Sequence, residues 1–458
     1  MNKPVLVFMA PVATRSGYGS HSRDIIRSII KMDKFDVKIL PTKWGETPQD
    51  ALDYLNKDDK IIIDRLMNEP RMNRQPEVFM QCTVPNEFQN PGKYNIGITA
   101  GVETTVCPPE WIDGMNRMDL NIVPSEFVKG MFNSLKFTEK GKDGNVTREI
   151  EMQKPIEVLF EGADTDIYKK INNVGAELKA EMSVVKESFA FLFVGHWLQG
   201  GLGNDRKDLG MLIRTFFDTF KNKAKAPALI LKTSGSSFSI LDREMILAKI
   251  DQIKDSMGNN KLPNIYVLHG DLTDVEMNEL YNHPKVKAHV TFTHGEGFGR
   301  PLLEAVFSEK PIIAPKWSGH LDFLHEKHTT LLPGGLVKVP KDGLQNGLVV
   351  DGAHWFTVDY GFASKILKDV FDSYNKYTKS AKVFSLINKG KFSMDAMTIA
   401  FENVLDKYLP VFTTEANLVL PKLKKKGGGS PKMKLPTLKK TTDSKMTAKM
   451  PKLKKVTK

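Results

Sequence analysis

The stretch AHVTFTHGEGFGRPLLEAVFSE (residues 288–309) carries the clearest fold signal in the sequence. Its first six residues are mostly apolar or β-branched and predict a strand. PLLEAVFSE (301–309) predicts a helix with Pro301 near its first position, where proline is well tolerated. The turn between them, HGEGFG (294–299), holds three glycines, which let a backbone approach a ligand closely. A turn of this kind presents backbone N–H groups where a helix begins, so it predicts a site for an anion such as phosphate.

Two carboxylates lie around this turn, eight positions apart, at Glu296 and Glu304. A carboxylate accepts two hydrogen bonds well, which suits the paired hydroxyls of a ribose or a hexose. A purely structural role is the alternative, in which a glutamate near the start of a helix only complements the helix dipole. The turn by itself leaves both interpretations open.

Short apolar or β-branched runs alternate with longer amphipathic stretches along the chain, a pattern typical of parallel sheets flanked by helices. In the first half the predicted strands are 5–10, 35–40, 60–65, 78–83, 94–99, 120–125 and 156–161. In the second half they are 189–195, 228–233, 265–270, 288–293 and 310–315, with helices such as 208–221 and 273–283 between them. The pattern predicts two doubly wound α/β domains that face each other across a cleft, where ligands bind outside the carboxyl ends of the strands.

We therefore expect four segments. Residues 1–180 would form an N-terminal Rossmann-like domain, and residues 181–393 a second domain of the same kind. Residues 394–412 would form a last helix that packs back on the body. Residues 413–458 would be a disordered, lysine-rich tail.

Composition restricts the class of protein further. The chain has 458 residues, 41% of them hydrophobic, enough to bury more than one core. Cys82 and Cys107 are its only cysteines, too few for a disulfide framework. No apolar run approaches the roughly 18 residues of a membrane helix. The start, MNKPVLVFMAPVATRSGYGS, has a short apolar run that leads into a glycine loop, which is typical of a first buried strand rather than a signal peptide. We expect a cytoplasmic protein.

The positive charge is concentrated at the end of the chain. Residues 421–458 hold 14 lysines and one aspartate, a net charge of +13, whereas the whole chain carries +12 and residues 1–420 therefore carry −1. Such a segment buries too little apolar surface to offset its ordering entropy. It is either a solvated tail or an electrostatic tether to a polyanion or an anionic membrane. The absence of aromatic residues argues against stacking on nucleic-acid bases.

Several motifs occur in the order seen in one enzyme family. GEGFGRPLLEA (295–305), followed by PIIAPKWSGHLDFL (311–324), resembles the Glu-x7-Glu signature of retaining glycosyltransferases of family 4, which have the two-domain GT-B fold. The further segments that resemble this family are RSGYGSHSRDI (15–25), WIDGMNRMDLNIVPSEFVKGMF (111–132), VLFEGADTDIYKK (158–170) and FLFVGHWLQGGLGNDRKDLGMLIRTF (191–216). The resemblance covers roughly residues 5–410. It implies that the domain of residues 1–180 lies on the acceptor side and that the domain of residues 181–393 binds a nucleotide sugar.

The resemblance implies catalytic roles for three side chains. Glu296 would contact hydroxyls of the transferred sugar. Lys207 would neutralise the diphosphate leaving group, with Arg206 beside it, because a cation stabilises the charge that develops as the glycosidic bond breaks. The family has an arginine several residues ahead of the lysine, whereas this chain has His196 and Trp197 followed by an insertion.

The resemblance also implies a donor site. Glu304 would bind the ribose hydroxyls, the backbone amides of the turn would hold phosphate or sugar oxygens, and the glycine loop would approach the diphosphate from the opposite domain. The donor-side residues predicted in this way are Glu304, Gly297, Phe298, Gly299, Gly17 and Gly19. Lys232, at the end of the predicted strand 228–233, and Glu103, after the predicted strand 94–99, lie at strand ends that face the cleft. Lys232 joins the donor side, and Glu103 and His21 are the candidates on the acceptor side.

The resulting expectation is transfer of a sugar from a UDP- or GDP-linked donor to an acceptor hydroxyl, with retention of configuration and no metal or other cofactor. The acceptor would be a glycan or a lipid-linked saccharide, with the enzyme at the inner membrane face. The alternative is glycosylation of modified DNA with the basic tail as a tether, in a phage-infected host, because YNIGITAGVETTVCPPEWI (94–112) looks like phage-encoded relatives. A non-catalytic nucleotide-sugar-binding or virion-associated protein is a further alternative.

Overall fold

The computed structural model describes residues 3–235 and 238–412. The predicted tail, 413–458, lies outside the described residues. The strands of the first part of the chain are β1 (Val5–Ala10), β2 (Asp36–Pro41), β3 (Val78–Cys82), β4 (Tyr94–Ile98), β5 (Leu120–Val123), β6 (Lys136–Lys140), β7 (Val146–Glu151) and β8 (Ile156–Val158). Six of them form a parallel sheet in the order β2-β1-β3-β4-β5-β8, and β6 and β7 form a separate antiparallel hairpin. The helices of this part are α1 (Gly17–Met32), α2 (Lys57–Ile63), α3 (Pro109–Asn116) and α4 (Glu126–Ser134).

A second parallel sheet follows. Its strands are β9 (Ala190–Val194), β10 (Ala228–Lys232), β11 (Ile265–Leu268), β12 (Val286–Val290), β13 (Ile312–Pro315) and β14 (Thr330–Leu332), in the order β11-β10-β9-β12-β13-β14. An antiparallel hairpin, β15 (Gly334–Lys338) and β16 (His354–Val358), comes after it. The helices are α5 (Ala176–Glu181), α6 (Leu209–Phe220), α7 (Ile240–Asp255), α8 (Asp274–Asn282), α9 (Arg300–Val306), α10 (Tyr360–Asp372), α11 (Tyr374–Lys391) and α12 (Met394–Tyr408).

Both sheets are covered by helices on their two faces, which explains why their strands are nearly continuous apolar runs. In β3 all five residues are buried. In the second sheet one face packs on α6, α7 and α10, and the other packs on α5, α8 and α9. Two doubly wound α/β units are therefore present, as the alternating pattern predicts.

The predicted strand at 60–65 is wrong, because these residues belong to helix α2 and the turn after it. The side chain of Asn56 caps this helix by accepting a hydrogen bond from the Asp58 amide, and the acidic first turn suits the helix dipole. Only Ile62 of the isoleucine run is fully buried. The run therefore supplies one contact point for a surface helix rather than a strand of the core.

The last helix returns to the first part of the chain. Met397, Phe401 and Leu405 of α12 are buried in the apolar cluster that covers one face of the first sheet. Lys31 of α1 also pairs with Asp395 at 2.6 Å. The predicted division at residue 180 falls within α5, whose Leu178 packs with the second sheet; the exact domain bounds stay a prediction.

The segment between β15 and β16 packs against the first unit. Val339, Ala353 and Trp355 share an apolar cluster with Val102 and Trp111. Backbone bonds reinforce this contact, since Thr105 N–H donates to the His354 carbonyl at 2.9 Å. The loop after β4 is thereby held against the second unit, next to the carboxyl ends of both sheets. In the part of the chain that is described, no helix is long and apolar enough to cross a membrane.

Candidate active site

The loops at the carboxyl ends of the two sheets meet between the two units. The loop after β4 contacts the turn after β12, because the backbone of Gly297 lies so close to Ala100 that a Cβ atom there would be 2.6 Å from the Ala100 carbonyl oxygen. The Ser125 hydroxyl, at the start of α4, donates to the Gly297 carbonyl at 2.6 Å. The candidate site is thus formed by both units.

The turn predicted at 294–299 lies between β12 and α9, which begins at Arg300. The Thr293 hydroxyl donates to the Gly295 carbonyl at 2.8 Å, and the Glu296 amide donates to the Ser318 hydroxyl at 2.9 Å. Gly299 has φ +96°, a left-handed conformation that favours glycine. Side-chain and backbone contacts therefore fix the first half of the turn, and a glycine sets the entry into the helix.

The second half of the turn has unused hydrogen-bond donors. Gly297, Phe298 and Gly299 are buried, and within residues 3–235 and 238–412 their backbone N–H groups donate to no acceptor. Buried N–H groups are rarely left without a partner, so three in succession are available to an acceptor from outside the chain.

Two cation–carboxylate pairs lie beside this turn. Lys207 pairs with Glu296, and both side chains are largely buried. Arg206 pairs with Glu103 of the loop after β4, which links the two units. Burial and the Arg206 charge lower the pKa of Lys207, although Glu296 opposes them. Burial acts to raise the pKa of Glu296, but the Lys207 and Arg206 charges outweigh it and lower that pKa.

Local contacts hold the loop that carries Arg206 and Lys207. They lie in the loop from β9 to α6, just before Asp208, whose backbone is left-handed at φ +50°. The buried carboxylate of Asp205 accepts from the Leu209 amide at 3.0 Å and thereby holds the start of α6. In the same loop His196 Nδ1 is 3.0 Å from the Ser234 hydroxyl.

Glu304 has a different set of partners from Glu296. Its two oxygens accept from Arg300 Nε at 2.9 Å and from the Tyr281 hydroxyl at 3.2 Å. Burial raises the pKa of Glu304 to about 7, against the Arg300 charge. Arg300 also pairs with Asp24 of α1, so this carboxylate belongs to a second network that joins the two units.

The predicted glycine-loop residues divide into two kinds. Gly17 is exposed, with open space where a Cβ would point. Gly19 is buried, its amide donates to the Ser16 hydroxyl at 3.0 Å, and a Cβ on it would collide with the Thr14 carbonyl. Local packing alone thus accounts for a glycine at position 19.

His21 and Lys232 were also predicted near the site. His21 is buried on α1 with no hydrogen-bond partner for its Nδ1 among the described residues. Burial and the nearby charge of Arg300 lower its pKa to about 3, so the ring is neutral. Lys232 ends β10 and donates to the Gly270 carbonyl at 2.7 Å, and burial lowers its pKa.

Sequence reasoning missed an aromatic pair at the cleft. The rings of Tyr18 and Trp44 stack with centroids 3.9 Å apart and planes at 22°. The Tyr18 hydroxyl is 3.1 Å from the Thr99 hydroxyl and accepts from the Ala100 amide at 3.0 Å. Tyr18 stands inside the glycine loop, but Trp44 lies in an irregular loop after β2, where no periodic pattern marks it.

Three ion pairs between an arginine and a carboxylate connect the two units, and the sequence predicts none of these pairings. The sequence predicts Arg206 at the site but does not predict its ion pair with Glu103. The other two bridges join Arg300 to Asp24 and Arg15 to Asp271. Such pairs connect distant parts of the chain, so the spacing of residue types along the sequence carries no signal for them.

The fold defined by this geometry is a known one. No family model matches the sequence, and no curated protein matches it. The structure, however, is similar to solved glycosyltransferases with two facing α/β domains. The chain has the GT-B fold, as the sequence predicts.

Anabaena HepE, solved in complex with UDP and glucose, matches with a TM-score of 0.58 at 13% identity, over 88% of this chain and 100% of that chain. Sucrose-phosphate synthase from Thermosynechococcus elongatus matches with a TM-score of 0.56 at 11% identity, over 88% and 99% of the two chains. A glycosyltransferase from Rickettsia africae matches with a TM-score of 0.55 at 13% identity, over 89% and 99%. At these identities the likeness establishes the fold and leaves the reaction to be argued from the site.

Proposed function

We propose that this chain is a retaining glycosyltransferase of family 4 that moves a sugar from a nucleotide-sugar donor to an acceptor hydroxyl. The observation that carries the proposal is the run of three buried, unpartnered amides at Gly297, Phe298 and Gly299 next to the Lys207–Glu296 pair. Phosphate and sugar oxygens are acceptors that would satisfy such amides. HepE, with the same fold, binds UDP and glucose, which supports a donor of this class.

The two cations fit a diphosphate leaving group. In the structure Arg206 and Lys207 each pair with a carboxylate, so both already hold an oxyanion. A diphosphate offers oxyanions of the same kind. As the bond from the sugar C1 to the diphosphate breaks, negative charge grows on the leaving oxygen, and a buried ammonium and guanidinium stabilise it. We assign the catalytic charge stabilisation to Lys207, supported by Arg206.

The two glutamates would hold different parts of the donor. Glu296 would accept hydrogen bonds from hydroxyls of the transferred sugar, and Glu304 from the ribose hydroxyls. In the retaining reaction the acceptor oxygen bonds to C1 on the face that the diphosphate leaves, and the acceptor proton passes to a leaving phosphate oxygen. No protein nucleophile and no metal takes part in this scheme.

The acceptor would lie on the side of the first unit. The Tyr18–Trp44 stack is anchored through Tyr18 to the loop whose Ala100 contacts Gly297. An aromatic face of this kind suits the C–H face of a sugar ring, which favours a glycan or a lipid-linked saccharide. Glu103 and His21 are the polar groups assigned to this side.

The test is a thermal-shift screen of the full chain against UDP, GDP, ADP and their common sugar conjugates. A ligand at about 100 times its Kd stabilises the folded state by roughly 2.7 kcal/mol. We expect one nucleotide series to raise the melting temperature of the wild type, and to raise that of Glu304→Gln much less. The control is Glu326→Gln, which changes an exposed carboxylate and should respond like the wild type. The proposal fails if no nucleotide stabilises the wild type, or if Glu304→Gln responds fully.

A further inference from the structure

Helix α11 presents an exposed face that is both basic and apolar. The helix contains five lysines and no aspartate or glutamate. Three large apolar side chains on it are exposed, with relative accessibilities of 49% for Val383, 64% for Leu386 and 40% for Ile387. Exposed apolar side chains next to uncompensated positive charge are the composition of a helix that lies in a membrane interface.

The helix has two distinct sides. Ala381, Phe384, Ser385 and Asn388 are buried against the second unit. The exposed positions follow at helical spacing as Lys379, Lys382, Val383, Leu386 and Ile387 and form one stripe. Lysines and apolar residues therefore share a single surface, which we call the α11 stripe.

Four of the five lysines of α11 are not neutralised by a described residue. Lys376, at the beginning of the helix, pairs with Asp369 at 3.1 Å. Lys379, Lys382, Lys389 and Lys391 form no ion pair with any described residue. The free charges lie around the exposed apolar side chains.

We propose that the α11 stripe binds an anionic lipid surface, with Leu386 and its apolar neighbours at the boundary of the acyl chains and the lysines on the headgroups. This inference does not depend on the proposed function. Each lysine near an anionic bilayer strengthens binding by an amount that corresponds to about fivefold in affinity. The apolar side chains add a contribution that charge alone cannot give.

Charge argues against the other occupants. The tail, residues 421–458, carries +13 and would be repelled by the lysines of the stripe. A second copy in a symmetric contact would bring like charges together. A nucleic acid would satisfy the lysines but would offer no apolar partner to Leu386.

Exposed apolar residues alone do not make a helix suited to an anionic membrane, as α7 shows. Leu241 and Met245 of α7 are 77% and 64% exposed. Helix α7, however, contains four acidic and three basic residues, whereas α11 contains no acidic residue and five lysines. Helix α7 therefore provides a matched control with an exposed apolar side chain and no attraction to anionic lipid.

The experiment places an environment-sensitive fluorophore on each helix of the full chain. Leu386→Cys and Met245→Cys are labelled with a nitrobenzoxadiazole maleimide, and both native cysteines, Cys82 and Cys107, are fully buried and so do not compete. Each protein is mixed with phosphatidylcholine vesicles that contain or lack phosphatidylglycerol. We expect the emission from position 386 to rise severalfold and shift to the blue with the anionic vesicles alone, and the emission from position 245 to stay unchanged.

A charge-reversal variant completes the test. Lys379→Glu with Lys382→Glu in the Leu386→Cys background should abolish the rise, whereas Lys254→Glu on α7 should leave it intact. The proposal is overturned if the protein pellets with anionic vesicles while the 386 probe remains in water, because the tail then carries the binding. It is equally overturned if the protein does not bind the vesicles, if duplex DNA produces the same rise, or if the rise survives the charge reversal.

Discussion

Arg300 joins the two halves of the molecule through Asp24. The guanidinium, on the first turn of α9, pairs with the Asp24 carboxylate on α1 and also donates from Nε to Glu304 at 2.9 Å. All three side chains are at least 85% buried. A buried cation between two carboxylates is expensive to remove, because both carboxylates lose the charge that compensates them.

Replacement of Arg300 tests this relationship. Arg300→Met should lower the free energy of unfolding by about 3 to 5 kcal/mol, since the buried carboxylates of Asp24 and Glu304 both lose its guanidinium. Asp24 keeps a longer contact with Arg27 at 3.8 Å, and Glu304 keeps the Tyr281 hydroxyl at 3.2 Å. Urea denaturation measures the change. The control is Arg214→Met, which breaks the solvent-exposed pair with Asp218 and should cost about 1 kcal/mol or less. Equal losses in the two variants would show that the Arg300 bridge is absent in solution.

A methyl group at position 297 should disturb the contact between the two units. Gly297→Ala would set its Cβ 2.6 Å from the Ala100 carbonyl oxygen, so one backbone must shift. We expect a loss of about 1 to 3 kcal/mol in the free energy of unfolding. Gly130→Ala is the matched control, because Gly130 lies within α4 with no atom near its missing Cβ. There alanine should stabilise by about 0.5 to 1 kcal/mol. A neutral Gly297→Ala would contradict the close approach.

The proposed role of Lys207 leads to a kinetic prediction. With the donor that the thermal-shift screen identifies, Lys207→Met should lower kcat by about 100-fold or more, because the charge on the leaving diphosphate is no longer stabilised. The rate of nucleotide release measures this, and a melting curve verifies that the variant is folded. Lys316→Met, at an exposed lysine that pairs with Glu326, should retain the wild-type kcat. A Lys207→Met enzyme with a normal kcat would exclude the assignment.

The parts of the fold that could be predicted are those in which burial leaves a strong pattern. Strands such as β1 and β3 are covered on both faces, so their apolar runs are distinct and their bounds fall within a residue or two of the prediction. The pattern failed at 60–65, where three isoleucines in succession look like a buried strand but only Ile62 is fully buried in a surface helix. A short apolar run has no periodicity that separates these cases.

In the candidate site, too, the sequence predicts only the features that are local in the chain. The turn with Glu296 and Glu304 is local in sequence, so a motif reveals it. The bridge between Asp24 and Arg300 spans 276 positions, and the stack of Tyr18 on Trp44 depends on how a long loop folds back. Such contacts follow from the packing of whole units, and no spacing of residue types encodes them.

The pH dependence of stability should be affected by Glu161, which follows β8. Burial raises the pKa of this carboxyl to about 7, the Arg300 charge opposes the shift, and the charges of Asp24, Glu304 and Glu296 add to it. In the unfolded chain the pKa is near 4.5. Between about pH 4.5 and pH 7 the folded protein therefore binds the proton that the unfolded chain has lost, and stability falls as the pH rises through this window.

Glu161→Gln removes this titration. Relative to the wild type, the variant should gain roughly 2 kcal/mol in the free energy of unfolding between pH 5 and pH 8, as measured by urea denaturation at both values. Buried histidines with a lowered pKa, such as His21, titrate in both proteins and cancel in the difference. Glu326→Gln, at a side chain that is 63% exposed, should follow the wild type at both pH values. A difference between Glu161→Gln and the wild type that does not change with pH would mean that Glu161 is already ionised at pH 5 in the folded protein.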